Sequence, residues 1–192
     1  MVTDTYKIEE VIARLAQMPR QGKAYDHMGR HGWSNPIRQD TGPLLQALVL
    51  ARNPKRILEI GTAHGESLLN MALAAPKAEF HTIEWLEQLA NEAGQNFLEA
   101  GVDAFVHNGD AMKVLETLTG QFDFIFLDGN KDGYFEQFNK MMELDLLNPD
   151  NATIVADNVI DRQKECAQFL AIMQQFPHLI LQTECGLLVA QV

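Results

Sequence analysis

Apolar residues recur along the chain in short runs, and the spacing within each run separates strands from helices. Ile57, Leu58 and Ile60 form a compact apolar run of the kind found in a buried strand. The segment 61–65 then contributes two glycines, which favour a sharp turn. Beyond it, the apolar run 68–73 follows a helical pattern. This part of the chain therefore predicts a strand, a tight loop and a helix.

The same alternation repeats through the rest of the chain. Further strands are predicted at 79–84, 104–107, 122–128 and 152–156, and the helices that follow them at 86–100, 109–118, 134–147 and 161–176. The last two strands, 178–183 and 187–191, are separated by a tight turn through Cys185 and Gly186. Repeated strand and helix units predict an α/β fold: a mostly parallel seven-stranded sheet with helices on both faces, to which the terminal hairpin adds one antiparallel strand.

The first 40 residues follow a different pattern. Apolar residues at helical spacing predict a short helix within 8–18. The segment 23–39 is rich in glycine, histidine and polar residues, so we expect it to be irregular, either as a lid across a site or as a solvated connector. Capping side chains and an early proline at 40–43 then begin a second helix. Because no linker or repeat divides the chain, we expect residues 1–192 to form a single domain.

Composition and charge narrow the classes of function. The chain has 15 Lys and Arg residues against 26 Asp and Glu, a formal net charge of −11, so it lacks the basic surface that binds nucleic-acid backbones. We expect a small-molecule substrate and no nucleic-acid partner. Cys166 and Cys185 lack the spacing of a disulfide framework or a thiolate metal site, which favours the cytoplasm. We find no secretion signal and no apolar run near the roughly 20 residues that span a bilayer, so no membrane contact is expected.

The loop after the first predicted strand is the strongest candidate for a ligand site. Gly61 and Gly65 let the backbone turn sharply and approach a ligand closely, as in the nucleotide sites of open α/β sheets. Glu59 lies inside the strand, where a carboxylate needs a partner such as a cationic or hydroxyl-bearing ligand. The alternative is an ordinary turn in which Glu59 caps exposed amides. The loop lacks the G-x-G-x-x-G spacing of a dinucleotide site, which disfavours NAD.

Acidic residues stand at the ends of the five predicted strands before the hairpin. They are Glu59, Glu84, Asp110, Asp128 and Asp157. Ligands of such sheets bind beyond the carboxyl ends of the strands, so these side chains are expected to meet in one place. Glu84 lies about twenty residues beyond the glycine turn, where an acidic residue accepts hydrogen bonds from ribose hydroxyls.

Six short motifs occur in order from the middle of the chain to its end: ILEIGTAHGES, TIEW, NGDA, FLDGNKDGY, VADNVI and ECGLLVA. Together they resemble the cation-dependent O-methyltransferases that use S-adenosylmethionine, the family of catechol O-methyltransferase and its small bacterial members. FLDGNKDGY and ADNVI are the motifs typical of the metal-dependent branch. The resemblance implies a Rossmann-like sheet and methyl transfer to a hydroxyl of a small catechol-like or vicinal-diol substrate.

The resemblance also implies roles for individual residues. The cofactor would be held by Ile37, Glu59, Gly61, Thr62, Ser67, Glu84, Asp110, Ala111 and Asp128. A divalent ion, Mg²⁺ or Ca²⁺, would be held by Asp128, Asp157 and Asn158, and Lys131 would act with Asp128 in catalysis. Oxygen ligands at the ends of two adjacent parallel strands suit such a hard cation. The alternative is that these side chains only cap the following helices.

Some features depart from the family or leave alternatives open. Gly129 and Asn130 stand where the vertebrate catechol enzyme has bulky rings, so the methyl acceptor stays open. The six histidines lack metal-ligand spacing and are interpreted as structural or solvated. The alternative functions are a regulatory module that binds the cofactor without turnover and a metal-independent methyltransferase. We also expect a homodimer formed through the N-terminal segment, where Leu15 and Trp33 would otherwise lack cover.

Overall fold

A seven-stranded sheet lies at the centre of the structure, with helices packed on both of its faces. The computed structural model describes residues 5–18, 22–25, 31–34 and 37–192, and for 22–25 and 31–34 it describes the backbone alone. The helices are α1 (Thr5–Leu15), α2 (Thr41–Arg52), α3 (Glu66–Ala74), α4 (Glu87–Ala100), α5 (Ala111–Leu115), α6 (Tyr134–Glu143) and α7 (Ala167–Met173). The strands are β1 (Gly22–Tyr25), β2 (His31–Ser34), β3 (Arg56–Ile60), β4 (Glu79–Glu84), β5 (Ala104–Asn108), β6 (Phe124–Leu127), β7 (Thr153–Ala156), β8 (His178–Leu181) and β9 (Leu187–Gln191).

The order of strands in the large sheet is β5-β4-β3-β6-β7-β9-β8. Neighbouring strands from β5 to β7 are parallel, and β9 is antiparallel to both β7 and β8. The predicted fold class is therefore confirmed, including the single antiparallel strand supplied by the terminal hairpin. The strand order reverses at β3, because β4 lies on one side of it and β6 on the other. A reversal of this kind leaves a crevice at the carboxyl ends of the two central strands.

Alternate side chains of the central strands serve two separate cores. In β3, Ile57 packs in the cluster on the α1–α4 face, whereas Leu58 packs in the cluster on the α5–α7 face. In β6, Phe124 and Ile125 divide in the same way. β6 is wholly apolar, and β3 is buried from Ile57 to Ile60, because each strand is covered by helices on both sides. Burial on both faces holds the central strands in place, and it thereby fixes the positions of the strand ends, where the acidic residues lie.

The prediction of irregular structure over 23–39 is wrong at 23–25 and 31–34, which are strands, and correct at 37–39, which belongs to no helix or strand. Strands β1 and β2 form an antiparallel hairpin, with Gly22 opposite Ser34 and Tyr25 opposite His31. Such a pair of four-residue strands forms by backbone hydrogen bonding and needs no apolar periodicity, which is why the sequence pattern missed it. The remainder of the predicted lid, 26–30 and 35–36, lies outside the described residues.

The helix predicted over 109–118 is shortened to Ala111–Leu115, and two further helices differ from their predicted bounds. The helix predicted to end at 147 ends at Glu143, because Asp145 takes a left-handed backbone conformation with φ 53° and turns the chain. The helix predicted from 161 begins only at Ala167, because the preceding charged and polar residues are all exposed and offer no face to bury. In both places the local polar pattern was compatible with a helix that tertiary packing does not support.

Helix α1 is packed against its own chain. Ile8, Val11 and Leu15 are buried in the cluster shared with α3 and α4. The expected need of Leu15 for cover from a second subunit is therefore wrong, and the side chain of Trp33 lies outside the described residues. The polar face of α1 is joined to α4 by Arg14, whose Nη2 donates to Asn96 Oδ1 at 3.1 Å. In the described part of the chain, no helix is long and apolar enough to cross a membrane.

The glycine at the end of β3 provides a test of this packing. Gly61 has φ +101°, and a Cβ there would lie 2.5 Å from the backbone nitrogen of Gly129. We expect Gly61→Ala to lower the free energy of unfolding by at least about 2 kcal/mol in urea denaturation. The control is Gly94→Ala in α4, where a Cβ meets nothing within 4 Å and where we expect a gain of about 0.5–1 kcal/mol. Equal effects of the two substitutions would contradict this account.

Candidate functional site

The crevice at the strand reversal is formed by close contact between two loops. The Asp128 amide donates to Ile60 O at 2.9 Å, and Gly61 N donates to Ile83 O at 2.9 Å. The loop after β3 thus lies between the ends of β4 and β6. A pocket lies beside this loop. Its lining comes from the N-terminal part of the chain, from the loop itself and from the end of β6: Leu15, Met18, Ile37, Gly61, Thr62, Ala63, His64, Glu66, Ser67 and Asp128.

Glu59 is a fully buried carboxylate held by hydroxyl groups. Ser67 Oγ donates to Glu59 Oε1, and Thr82 Oγ1 donates to Glu59 Oε2 at 2.6 Å. Thr62 Oγ1 lies 2.5 Å from Thr82 Oγ1 and extends the network. Among the residues that the structure describes, no cation is paired with Glu59, and burial raises its pKa to about 8. A cationic ligand at this position would supply the missing countercharge.

Glu84 connects the end of β4 to the glycine-containing loop. Its Oε2 accepts the Ala63 amide at 2.9 Å, and its Oε1 accepts the Leu86 amide at 3.0 Å. Burial raises its pKa, and hydrogen bonds from the surrounding backbone amides oppose that rise. A carboxylate presents about four lone-pair sites, and the backbone amides around Glu84 share them with any ligand hydroxyl that binds there.

The end of β5 carries a helix cap. Asp110 Oδ1 accepts the amides of Met112 and Lys113 at 3.0 and 3.3 Å, so this side chain begins α5 as its N-cap. Ala111, the first residue of α5, is half-buried beside it. One oxygen of Asp110 thus caps α5, while the other oxygen makes no capping bond.

Asp128 and Asp157 lie at the ends of two adjacent strands, β6 and β7. Lys131 Nζ is 2.7 Å from Asp128 Oδ1 and 3.1 Å from Asp128 O. Asp157 Oδ1 accepts the amide of Asn158 at 2.8 Å, and Asn158 has a left-handed φ of 65°. Neither aspartate caps a helix here, because Lys131 begins a short 3₁₀ turn after Asn130 and α7 begins at Ala167.

The two strand ends are joined by a residue that sequence reasoning did not single out for the site. The hydroxyl of Tyr134 is fully buried and lies 2.8 Å from Leu127 O and 3.2 Å from Asp157 O. Thr82 was missed in the same way, although the pairing of β3 with β4 places it directly beside Glu59. Thr82 is placed by strand register and Tyr134 by the 3₁₀ turn before α6, and the pattern of a single segment contains neither.

The charge at these strand ends suits a divalent cation. Burial and the neighbouring charge of Asp128 raise the pKa of Asp157 to about 7, the direction expected when two carboxylates share a site. Two carboxylates and the amide oxygen of Asn158 form a donor set of the type that Mg²⁺ and Ca²⁺ prefer. Within the described residues, no group of three or more His, Cys, Asp and Glu side chains is arranged to hold a metal ion. The predicted set contains two such side chains, with the amide oxygen of Asn158 as its third ligand.

Comparison with known proteins identifies the chain's relatives. A profile described as O-methyltransferase matches residues 21–184. The chain belongs to the O-methyltransferase family. Among the curated members, it is 34% identical over 134 residues to a probable O-methyltransferase of Mycobacterium tuberculosis, covering 64% of this chain and 57% of that protein. It is 36% identical over 131 residues to a catechol O-methyltransferase of Niastella koreensis, a match that covers 65% of this chain and 58% of that protein.

Solved structures of O-methyltransferases have the same fold as this chain. An O-methyltransferase from Bacillus cereus in complex with SAH has a TM-score of 0.78 and 25% identity, covering 100% of this chain and 93% of that one. The curated relatives are longer, and the chain spans only about three fifths of the two named above. Family membership and fold are therefore shared across nearly the whole chain, while the full relatives contain additional sequence.

The buried Glu59 provides a stability test. Its folded-state pKa of about 8 lies above its ordinary value of 4.5, so between these values the folded protein holds a proton that the unfolded chain has lost. This group therefore makes stability fall as pH rises from about 4.5 to 8. We expect Glu59→Gln to be more stable than the parent by about 1–3 kcal/mol at pH 8 and nearly equal to it at pH 5.

The measurement is urea denaturation at both pH values, without added ligand. Glu116→Gln is the matched control, because the Glu116 side chain is 57% exposed and pairs only at the surface with Lys140. A difference between Glu59→Gln and the parent that did not change with pH would remove Glu59 as the source of the effect.

Proposed function

We propose that this chain is an S-adenosylmethionine-dependent O-methyltransferase that transfers a methyl group to a hydroxyl of a small molecule. The observation that carries the proposal is the meeting of two unlike clusters at the strand reversal. One contains the buried carboxylates Glu59 and Glu84 around a glycine-containing loop, and the other contains Asp128, Lys131 and Asp157. The family and its SAH-bound structural relative support this function.

The glycine-containing loop and its neighbours would hold the cofactor. We infer that Glu59 and Ser67, with Gly61, Thr62 and Asp128, face its methionine portion, because Glu59 lacks a countercharge that the amino-acid and sulfonium groups carry. Ile37 lines the same side of the loop. At the other end, Glu84 would accept hydrogen bonds from the ribose, and Asp110 and Ala111 would lie beside the adenine.

The second cluster would prepare the acceptor. A phenolic hydroxyl has a pKa near 10 in water, so little of it is ionised at neutral pH. Asp128, Asp157 and Asn158 would hold Mg²⁺ or Ca²⁺, which supplies Lewis acidity and a template for the substrate oxygens when bound. Lys131 Nζ, which lies 2.7 Å from Asp128 Oδ1, would take the hydroxyl proton as general base in its neutral form, which a divalent cation nearby would favour. Tyr134 would fix the separation of the two strand ends.

The acceptor is proposed to be a catechol-like or other vicinal-diol molecule. Two neighbouring oxygens could reach the Asp128 and Asp157 side of the site together, which favours a diol over a single hydroxyl. Gly129 and Asn130 contribute no ring at their own two positions, so the site would admit acceptors of varied shape there. The acidity of the chain, −11 overall, supports a small molecule rather than nucleic acid as acceptor.

The wider context of the enzyme is also proposed. Both cysteines are free thiols and are buried, which supports a reducing compartment such as the cytoplasm. Residues 1–192 would work as one methyltransferase domain.

A binding experiment tests the cofactor site. We expect Glu84→Ala to weaken S-adenosylmethionine binding by about 1.5–3 kcal/mol in calorimetry, the range for lost hydrogen bonds to a charged group. Glu84 also holds two backbone amides, so the same titration is repeated with an analogue lacking both ribose hydroxyls. The analogue should bind the parent weakly and lose little further affinity in the variant. Equal losses for both ligands would show that Glu84 acts only on the loop.

A turnover experiment tests the catalytic cluster. Methyl transfer from labelled S-adenosylmethionine is measured against a panel of phenols and catechols, with and without chelator. We expect Asp157→Ala to abolish metal-dependent turnover and Lys131→Ala to reduce the rate by about 10²–10⁴, both with nearly unchanged cofactor affinity. Lys164→Ala, at an exposed position, is the control for loss of a lysine.

The outcomes separate the alternatives. Tight cofactor binding without product from any acceptor would favour a regulatory module. Product formation that the chelator does not affect would favour a metal-independent methyltransferase. Full activity of Lys131→Ala alongside an inactive Asp157→Ala would remove the lysine from the mechanism.

A further inference from the structure

Two segments that are distant in sequence are joined beside the crevice. Arg38 Nη1 donates to Glu184 Oε1 at 2.7 Å, and the backbone amide of Glu184 donates to Asp40 Oδ2 at 3.0 Å. Residues 37–40 lead into α2, whereas Glu184 lies in the turn between β8 and β9. Glu184 is thus held through both its side chain and its backbone, which fixes the position of one segment relative to the other.

The segment that carries Arg38 forms part of the pocket beside the glycine-containing loop. Ile37 is buried and lines that pocket together with Gly61 and Asp128. The carbonyl of Arg38 accepts the Thr41 amide at 3.0 Å, so the segment turns directly into the start of α2. A shift of Arg38 would therefore move its neighbour Ile37 within the wall of the pocket.

The turn between β8 and β9 is bonded to the chain that follows the end of β7. The amide of Val159 donates to Gly186 O at 3.1 Å, and that of Ile160 donates to Cys185 O at 2.9 Å. The packing is close, because a Cβ on Gly186 would overlap the side chain of Ile160. The turn therefore holds the backbone that lies directly beyond the two proposed metal ligands at the end of β7.

The surroundings of Arg38 indicate what its contact with Glu184 does. Burial lowers the pKa of the guanidinium, but Cys185, Glu184 and Asp161 oppose that effect and raise the pKa overall. The Arg38 and Glu184 side chains are 35% and 60% exposed, and an ion pair at such exposure adds little to the stability of the fold. We therefore attribute to this contact the placement of the two segments and not the folding of the chain.

We propose, building on the proposed methyl transfer, that Arg38 is a positioning residue that aligns the cofactor with the acceptor. The proposed function assigns the pocket beside Gly61 to the cofactor and the ends of β6 and β7 to the acceptor. Arg38 connects the wall of the first site to the backbone beyond the second. Methyl transfer is an in-line displacement, so its rate depends steeply on the alignment of the reacting atoms. Arg38 acts on that alignment through Ile37 and Glu184.

Steady-state kinetics test this role, with labelled S-adenosylmethionine, Mg²⁺ and the catechol or phenol that the parent methylates fastest. We expect Arg38→Ala to lower kcat about 10- to 100-fold, the effect of a displacement on the order of 1 Å, and to change each KM less than about threefold. Glu184→Ala should lower kcat similarly. The double variant should be no slower than the slower single variant, because both substitutions remove the same contact. Arg38→Lys, which keeps a charged donor, should recover part of the rate.

The control is Arg52→Ala, which should leave kcat unchanged. Arg52 also joins distant segments, since its Nη2 donates to Asn151 O at 2.7 Å, but this contact lies beside the start of β7, at the opposite end of the strands from the crevice. An Arg38→Ala enzyme with the kcat of the parent would overturn the proposal. A loss confined to the KM of carboxylate-bearing acceptors would also overturn it, because Arg38 would then be a ligand of the substrate.

Hydrogen exchange measures the placement of the segments without turnover. In Arg38→Ala the amides of 159–161 should exchange at least about tenfold faster than in the parent, because the turn that accepts their hydrogen bonds is released on one side. Arg52→Ala should not change them. Unchanged exchange in Arg38→Ala would overturn the proposal. A parent that methylates no acceptor would contradict the proposed function instead, and the exchange rates would still decide whether Arg38 holds the two segments together.

Discussion

The structure depends on one close backbone approach, between the loop that ends β3 and the loop that ends β6. Gly61 makes this approach possible, because any side chain there would occupy the space of the backbone at Asp128 and Gly129. The two strands are neighbours, but the helices that follow them leave toward opposite faces of the sheet. The chain therefore opens a crevice where its two halves separate, and both acidic clusters border that crevice.

The burial of acidic groups at the site lowers the stability of the folded protein. Glu59 and Asp157 are both almost inaccessible, and burial raises the pKa of each carboxyl. The hydroxyls of Ser67 and Thr82 offset part of this cost at Glu59. A folded chain with such groups is less stable than one with neutral residues in their place, and it gains most from ligands that bring positive charge.

Much of the fold followed from local pattern, because each central strand is apolar enough to be recognised alone. Strand β4 was predicted with its observed bounds, and the strand ends carrying Glu84, Asp128 and Asp157 followed from parallel topology. The β1–β2 hairpin could not be predicted in this way, since its pairing is made by backbone groups and its sequence has no apolar periodicity. Thr82 and Tyr134 were missed because their roles arise between segments, from register and from a 3₁₀ turn.

The polar link between α1 and the glycine-containing loop has a mechanical consequence. Arg14 contacts Asn96, and the side-chain amide of Asn96 in turn donates to the carbonyl of His64 at 2.9 Å. The first helix and the loop are thus joined by two side chains, in addition to their shared apolar packing. A displacement of α1 would be transmitted to the peptide between His64 and Gly65, where α3 begins. The position of the N-terminal helix is therefore mechanically coupled to that of the glycine-containing loop, although the two segments are far apart in sequence.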